Sequence, residues 1–488
     1  MEYRIYPPIG FSRLGNSDSE YYFSPESSGS IGTELDQEGR EIAVSSFKDA
    51  HGKVKRMAAR YSLLEFSDEH PNGRTAQLPE GAVVRWSLDV ANLKDAVVRS
   101  NTPQRQVPNV VPEHPIVEDA RLNRIISASI NVSDNNPVPM LGSYLQGTAK
   151  ETEVFLGEAF TDSEGRLVVL GGRGITDSPE GEPIGDDEGS GNYFKNPGWY
   201  DDVADGSVKA EIVFATGEVK QAKPGWLVVG PPDFAPGVTA TVTLYDVIQE
   251  VAISNGWMTP KQKPNFVQDI KPIIERTRSL KWVNQLDNWG DISNDWARLS
   301  DASDSQNEFR KKARDAVINV ASRLRNYNYT KWQSEYLDKW VDGNFENIDP
   351  EAPNLSEALT RSALDGTVGQ GFLPGIEAGI LLLDSSLYDQ PFDFRLSDSV
   401  KPGWVTALMA QPWQADFLKC ANRWWPSQRP DTVMQADGGT ESWVGNLDEW
   451  YDHRIIAEDQ YVMGMGVVTP SPTADDPERQ IEEGRTNI

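Results

Sequence analysis

Residues 416–430 read Asp-Phe-Leu-Lys-Cys-Ala-Asn-Arg-Trp-Trp-Pro-Ser-Gln-Arg-Pro and contain Cys420, the one cysteine in a chain of 488 residues. Asp416 precedes this cysteine by four residues and Trp424 follows it by four. Positions four apart share one face of a helix, so the spacing predicts a row of carboxylate, thiol and indole. The carboxylate can act as a base for the thiol, whose reactive form is the thiolate. The alternative is a buried structural thiol in a tryptophan-rich helix.

The charge and the cysteine count exclude several classes of protein. The net charge is -28, and so acidic a chain repels phosphate backbones, which predicts no binding of DNA or RNA. A single cysteine excludes an intrachain disulfide and predicts a cytoplasmic location. The four histidines are scattered and no Cys/His spacing suits zinc, so we expect no metal site.

Targeting and membrane segments are also not expected. Residues 1–8 lack the apolar stretch of a signal peptide. No run approaches the 18 apolar residues that a membrane-spanning helix needs, so the sequence predicts no membrane span.

The first half of the chain has the pattern of strands. Tyr3 and Ile5 alternate with polar residues before Pro7 and Pro8, which predicts a strand that ends at the prolines. A glycine-bearing loop at 162–165 predicts a hairpin. Further strands are predicted at 58–66, 82–90, 121–132, 152–161, 165–171 and 208–214.

After residue 240 the apolar residues recur every three to four positions, which is typical of helices. We therefore predict an α+β protein in which a β-rich half packs against a helix-rich half that carries the Cys420 region. The predicted boundaries are 1–240 for the β-rich domain, 241–468 for the mainly helical domain and 469–488 for a flexible tail.

Two segments imitate common binding motifs without matching them. Asp201, Asp202 and Asp205 suggest a calcium loop, but the twelfth position of an EF-hand would fall on Ile212, so we predict a turn before a strand. Residues 369–377 are rich in glycine, but their spacing differs from that of a dinucleotide loop.

Several blocks in the same order resemble the cysteine tryptophylquinone amino-acid oxidases, the lysine ε-oxidase and glycine oxidase family. The segment at 369–377 is similar to that family's Gly-Gly-x-Phe-Phe-Pro-Gly-Ile-Glu motif, although Thr367-Val368 stands where members often carry a cysteine. The other similar blocks are 5–10, 13–17, 22–26, 196–208, 224–236 and 416–430.

The resemblance implies a protein-derived cofactor, cysteine tryptophylquinone, in which the sulfur of Cys420 is joined to a later tryptophan. The family position for that tryptophan falls here on Tyr461 or Val462. Trp450 is then the best remaining partner, and a cross-link from Cys420 to Tyr461 is the alternative.

The resemblance also suggests roles for three side chains. Asp416 is predicted as the base for cross-linking. Glu377 is predicted to line the active site, and the alternative is a carboxylate at the start of a helix. His453 is predicted to move a substrate proton, and the alternative is an exposed histidine without a role.

The implied activity is the oxidation of a primary amine of an amino acid to an aldehyde or oxo acid, with ammonia and hydrogen peroxide as the other products. A flavoprotein maturation partner and a homo-oligomer are also implied. The rival hypothesis is a diverged member without the quinone that acts as a binding or scaffold protein, because fold does not fix function.

Overall fold

The structure is a computed structural model. It describes residues 1–27, 29–44, 47, 49–51, 53–97, 115, 117, 119–147, 149–182, 196–233, 236–280, 292–323, 329–369, 375, 377–378, 380–414, 432–434 and 440–442.

Most of the first half is β-strand. The strands are β1 (Glu2–Tyr6), β2 (Ile9–Arg13), β3 (Tyr21–Phe23), β4 (Thr33–Leu35), β5 (Glu41–Ala43), β6 (Arg56–Phe66), β7 (Arg74–Thr75), β8 (Val83–Asn92), β9 (Ile126–Val132), β10 (Val138–Tyr144), β11 (Thr152–Thr161), β12 (Leu167–Gly171), β13 (Thr176–Asp177), β14 (Tyr200–Asp201), β15 (Asp205–Val213), β16 (Val219–Gln221), β17 (Gly225–Gly230), β18 (Thr432–Met434) and β19 (Thr440–Ser442).

Fifteen of these strands form one sheet, whose main path runs β10-β11-β12-β6-β2-β17-β15-β8-β9. The pairing is antiparallel along this path except between β17 and β2, where Trp226 lies opposite Ile9 in a parallel pair. The two ends of the path also meet, since a Cβ added to Gly142 of β10 would lie 2.6 Å from Ile126 of β9. The sheet is therefore strongly curled.

The burial pattern explains which strands lie in the middle. Strands β9 and β10 alternate between buried and more exposed residues, as expected where one face meets solvent. Strands β2, β12 and β17 are buried at every position, which is typical of strands covered on both faces. Burial of these apolar side chains is the main favourable term in the folding of the sheet.

The second half supplies the helices that cover part of the sheet. They are α1 (Leu244–Ser254), α2 (Lys271–Ser279), α3 (Trp296–Leu299), α4 (Asn307–Arg323), α5 (Lys331–Val341) and α6 (Leu355–Asp365). Thr243 and Asp246 form a reciprocal capping box at the start of α1, and Thr330 and Gln333 form another at the start of α5. Each box satisfies two backbone N–H groups that would otherwise lack partners.

A buried ion network joins three of the helices. Arg276 of α2 donates to Asp246 of α1 at 2.8 Å and to Asp365 of α6 at 3.0 Å. Arg361 of α6 also donates to Asp365 at 3.0 Å. Because each carboxylate has a cationic partner, the network can remain charged inside the helical layer. It holds the carboxyl end of α6 in place above the sheet.

After the helices, the chain returns to the sheet. Arg395 is buried and donates to the carbonyl of Ile5 at 2.9 Å and to the carbonyl of Pro224. The N–H of Gly403 donates to the carbonyl of Asp205 at 3.0 Å. Residues 395–414 are thereby attached to strands from the first half before the chain reaches residue 416.

The predicted α+β class, with a β-rich first half and a helix-rich second half, is confirmed. The strand predicted over 121–132 is wrong in its first part, because Asp119–Arg124 form a 3-10 helix before β9. None of these six residues is buried, so they have no apolar face to place in the sheet. Among the helices that the structure describes, none is long and apolar enough to cross a membrane.

Candidate active site

Glu377 is the one predicted site residue that lies within the described part of the chain. Its side chain is buried, with one oxygen bound to Arg13 and the other accepting the N–H of Val368 at 2.6 Å. The carboxylate thus binds a strand and a loop instead of the N–H groups of a helix start. Its predicted place in the active site stays a prediction.

Arg13, the last residue of β2, is the centre of this arrangement. Besides Glu377, its guanidinium donates to the carbonyls of Pro231 at 3.2 Å and Gly366 at 2.8 Å, and it lies 4.0 Å from Asp233. Burial by itself would lower the pKa of Arg13, but the charges of Glu377 and Asp233 raise that pKa above its ordinary value. One buried cation thus connects the sheet, the end of α6 and the Glu377 loop.

A cavity of about 80 Å³ lies against Arg13. It runs from the exposed Ser27 and Gly29 to the buried Arg13, and the end of α6 forms one wall. Tyr22 also lines it, and burial raises the pKa of that phenol, so the phenol is neutral at physiological pH. Its wall of hydroxyls and charged groups is suited to water or to a small polar molecule.

The loop that carries Asp201, Asp202 and Asp205 is the second part of the candidate site. We predicted a turn before a strand, and β15 indeed begins at Asp205. All three aspartates are 1% exposed or less, although turn residues are mostly solvated. A buried carboxylate needs hydrogen bonds or a cation, so the partners of each one are informative.

Asp201 is fully engaged. Lys94, itself buried, donates to Asp201 and also to the carbonyl of Ala410 at 2.9 Å. The N–H of Trp413 donates to Asp201 at 2.8 Å, and Asn92 donates to it at 2.8 Å. The pair of Lys94 and Asp201 therefore fixes residues 410–413, three residues before Asp416.

Two further contacts hold the same segment. The side chain of Asn196 donates to the carbonyl of Gln411 at 2.7 Å, and the side chain of Gln411 donates to the carbonyl of Trp199 at 2.7 Å. Residues 410–414 are thus fixed from both sides. Residues of the first half therefore hold the last described residues before the cysteine stretch.

Asp205 is satisfied by four donors. The hydroxyl and the N–H of Thr406 lie 2.6 and 2.8 Å from it, the indole of Trp226 lies 3.0 Å away, and the N–H of Val405 lies 3.2 Å away. Burial raises the pKa of Asp205 to about 6, and the hydrogen bonds from Thr406 oppose that rise. Asp205 ties the start of β15 to residues 403–406.

Asp202 differs from its two neighbours. One of its oxygens accepts the N–H of Ile175 at 3.0 Å, but the other has no hydrogen-bond partner among the described residues. A Cβ at Gly172 would lie 2.4 Å from the carboxylate, so only glycine allows this close approach. Burial, helped by the charge of Asp201, raises the pKa of Asp202 from 3.8 to about 7.

This raised pKa gives a testable dependence of stability on pH. Between pH 3.8 and about 7 the folded protein keeps a proton on Asp202 that the unfolded chain releases. The contribution of Asp202 to the free energy of unfolding is therefore complete below pH 3.8 and is lost as the pH rises to about 7. Asp202→Asn removes this loss. When the pH is raised from 5 to 8, we therefore expect the free energy of unfolding of the variant to increase by roughly 2–3 kcal/mol relative to that of wild type.

Urea unfolding at the two pH values measures the effect. Asp177→Asn is the matched control, since it makes the same change on the neighbouring strand β13 at a half-buried carboxylate that accepts the N–H of Ser178. Equal pH dependence in wild type and Asp202→Asn would contradict the assignment.

The remaining predicted site residues, Asp416, Cys420, Trp450, His453 and Tyr461, lie outside the described residues. Arg13, Lys94 and the three buried aspartates were not predicted as site residues. The signal in the sequence is a cluster of aspartates among aromatic residues and glycines directly before a strand, a pattern that also predicts an ordinary turn. Within the described residues there is no group of three or more His, Cys, Asp or Glu side chains placed to hold a metal ion.

Comparison with known proteins gives matches over most of the chain. Residues 6–229 match the family model described as L-lysine epsilon oxidase N-terminal, and residues 313–443 match the L-lysine epsilon oxidase C-terminal domain. An L-lysine 6-oxidase of Marinomonas mediterranea is 27% identical over 533 aligned positions, which cover 86% of this chain and 71% of that protein.

Solved structures share the fold. The epsilon-lysine oxidase of Marinomonas mediterranea superposes with a TM-score of 0.73 at 19% identity, covering 92% of this chain and 91% of the other. The same enzyme, solved as a Schiff base intermediate with L-Lys, gives a TM-score of 0.72 at 19% identity, covering 98% and 95%.

The fold, the order of the sequence blocks and the two family matches define a class of protein, the amino-acid oxidases. Within that class, this chain belongs to the L-lysine ε-oxidase family. The resemblance inferred from the sequence blocks is thereby confirmed.

Proposed function

We propose that this protein oxidises the primary amine of an amino acid with a quinone formed from its own side chains. The observation that carries the proposal is the C-terminal family match, because residues 313–443 include both Cys420 and the fixed segment that leads to it. The relative named L-lysine 6-oxidase supports lysine as the first substrate to test. A glycine-oxidase-like activity is the second.

A cofactor made from two side chains requires that both be held in contact. The described residues support one part of this requirement, since Lys94, Asp201 and Asn196 fix the backbone of 410–413 just before Asp416. A rigid support of this kind holds reacting groups in one geometry. The quinone, once formed, supplies an electrophilic carbonyl for the amine and takes up two electrons, which oxygen removes as hydrogen peroxide.

In this proposal the chain's own residues divide the work. Cys420 supplies the sulfur and Trp450 the indole ring, with Tyr461 as the alternative ring. Asp416 serves as the base that takes the thiol proton during cross-linking. His453 moves a proton of the bound substrate, a role that suits histidine because an imidazole in water ordinarily titrates near neutral pH.

Glu377 has a role that its contacts support. It accepts the N–H of Val368 and is held by Arg13, so its position is rigid and its charge is balanced. We propose that it lines the active site and fixes the loop 368–377 beside the cofactor.

The wider setting is carried over from the family. We propose a flavoprotein partner that completes the quinone, a homo-oligomer and a cytoplasmic location. The high negative charge further supports the expectation that nucleic acid is not a partner.

Peptide mapping of protein made together with its genomic neighbours tests the proposal. We expect the peptides of Cys420 and Trp450 to be found as one cross-linked peptide of combined mass after digestion under reducing conditions. The intact protein should absorb visible light and release peroxide on addition of L-lysine or glycine. The control Cys420→Ser should give separate peptides, no visible band and no peroxide. Free alkylation of Cys420 in the native protein would contradict the quinone.

A second candidate function is favoured by one sequence observation. The family's tryptophan position falls on Tyr461 or Val462. A member without the quinone would act as a binding or scaffold protein, and a bond from Cys420 to Tyr461 would indicate another redox cofactor. The same peptide map distinguishes these outcomes.

A further inference from the structure

The most informative group outside the proposed cofactor residues is the buried carboxylate of Asp202. It is 1% exposed, and no Lys, Arg or His among the described residues forms an ion pair with it. One of its oxygens has no hydrogen-bond partner in that part of the chain. A carboxylate in this position is a vacant acceptor for a hydrogen-bond donor.

The cations nearby have other partners, although the Nε of Arg56 has no hydrogen-bond partner among the described residues. Lys94 binds the adjacent Asp201. Arg56 lies close enough to interact electrostatically with Asp202, but its guanidinium pairs with Glu158 at 2.7 Å and donates to the carbonyl of Gly171 at 3.2 Å. Once it loses its proton, Asp202 is a buried anion with no ion pair among the described residues, and a cationic ligand would supply the counter-charge.

A second vacant acceptor marks the same region. The side-chain oxygen of Gln414 is buried and has no partner among the described residues, while its nitrogen lies 3.5 Å from the hydroxyl of Thr176. Thr176 follows Ile175, the residue that binds Asp202. The side chains of Asp202 and Gln414 thus contact two successive residues, Ile175 and Thr176, and each has one oxygen without a donor among the described residues. Gln414 also lies two positions before Asp416.

The chemistry of the missing ligand follows from these groups. A primary ammonium carries a positive charge and three N–H donors, which matches a carboxylate and an amide oxygen. A metal ion would need more ligands than the described residues bring together here. A water molecule could satisfy the hydrogen bond, but it would leave the charge of the carboxylate uncompensated.

We propose that Asp202 binds the primary ammonium of the substrate and takes one proton from it, with Gln414 as a second acceptor. The proton passes from nitrogen to the carboxylate oxygen, and a neutral amine and a neutral carboxylic acid result. Only the neutral amine has the lone pair needed to attack a carbonyl. This inference rests on the proposed function for its substrate.

The protonation of Asp202 suits this role. Its pKa of about 7 lies near neutral pH, and a general base is most effective when its pKa is close to the pH of the reaction. The groups that act on it are the charges of Asp201 and Arg56, the backbone N–H groups of Ile175 and Arg173, and the phenol of Tyr200. Burial raises the pKa of that phenol to about 12, so it stays neutral when Asp202 titrates.

Ammonium binding requires no quinone, so the full chain expressed alone serves for the first test. At pH 8 we expect methylammonium chloride to raise the midpoint of thermal unfolding above that in sodium chloride of equal ionic strength. Tetramethylammonium, which has no N–H donor, should give no rise. Ammonium chloride tests whether the site binds the ammonia that the reaction releases. A higher midpoint of unfolding with ammonium but not with methylammonium would overturn the assignment of the site to the substrate.

The variants assign the site. Asp202→Asn should lose the rise with methylammonium, and Gln414→Leu should reduce it, whereas Asp177→Asn should keep it. If Asp202→Asn fails to fold, the comparison of wild type with Gln414→Leu still tests whether methylammonium binds at this site. No rise in wild type would overturn the proposal, and an equal rise in wild type and Asp202→Asn would overturn it too, because the ammonium would then bind at another site.

Matured enzyme gives the second readout. We expect Asp202→Asn to lower kcat/KM about 100-fold and to remove the limb near pH 7 from its pH profile. An unchanged limb would overturn the role as base. If methylammonium binds but no quinone forms, the proposed function fails and the ammonium site stands. If the quinone forms but methylammonium does not bind, the ammonium site fails and the proposed function stands.

Discussion

Arg13→Met is expected to lower the free energy of unfolding by about 3–5 kcal/mol, because it leaves the buried carboxylate of Glu377 without its counter-charge. Arg13 and Glu377 are 3% and 1% exposed, so removal of the arginine leaves a carboxylate that is still buried. The carbonyls of Pro231 and Gly366 lose a donor as well. Urea unfolding monitored by tryptophan fluorescence measures the change.

Two further variants make this result interpretable. Arg4→Met removes a partly exposed arginine that pairs with Glu2 at 3.0 Å, and should cost no more than about 1 kcal/mol. The double variant Arg13→Met with Glu377→Leu should recover part of the loss, since no buried charge is then unpaired. A single variant as stable as wild type would show that the pair does not form.

The oxidase activity should also depend on the ion pair between Arg13 and Glu377. If Glu377 lines the active site as proposed, the released loop moves, and a displacement of about 1 Å can cost roughly 100-fold in rate. Full activity in a folded Arg13→Met protein would remove Glu377 from the site.

Lys94→Met has the second large expected effect, again about 3–5 kcal/mol, because Asp201 is then buried without a cation. Lys94 and Asp201 are 1% and 0% exposed. The segment 410–413 also loses its bond to Lys94 through Ala410, so hydrogen exchange should rise at those residues before global unfolding.

Lys209→Met is the matched control for this change. Its ammonium lies 2.8 Å from Asp89, but both side chains are exposed to solvent, at 51% and 38%. An exposed pair contributes up to about 1 kcal/mol, so this variant should unfold close to wild type. Similar losses in the two lysine variants would argue against a special role for the pair of Lys94 and Asp201.

Local patterns predicted the elements best. The alternation at Tyr3 and Ile5 predicts β1, the loop at 162–165 predicts the hairpin of β11 and β12, and the apolar spacing after residue 240 predicts a helical second half, where α1 to α6 are found. The strand order was not predicted, because β17 pairs with β2 across more than two hundred residues. A sequence period specifies an element but not its distant neighbour.

The site shows the same limit more sharply. Glu377 was predicted through a motif, whereas its partner Arg13 lies 364 positions away and belongs to no chemical motif of its own. Asp201 and Asp205 look alike in the sequence, yet one needs Lys94 and the other needs Thr406. Their roles depend on contacts that only the folded chain makes.

The link from Arg395 back to the first strand has a consequence for biosynthesis. As the chain leaves the ribosome, β1 emerges first, but the guanidinium that binds the carbonyl of Ile5 arrives nearly four hundred residues later. The parallel partner of β2 arrives only with residue 226. One edge of β2 must therefore wait through nearly half of translation for its partner strand, a period in which an unpaired edge invites aggregation. Slower synthesis would lengthen that exposure.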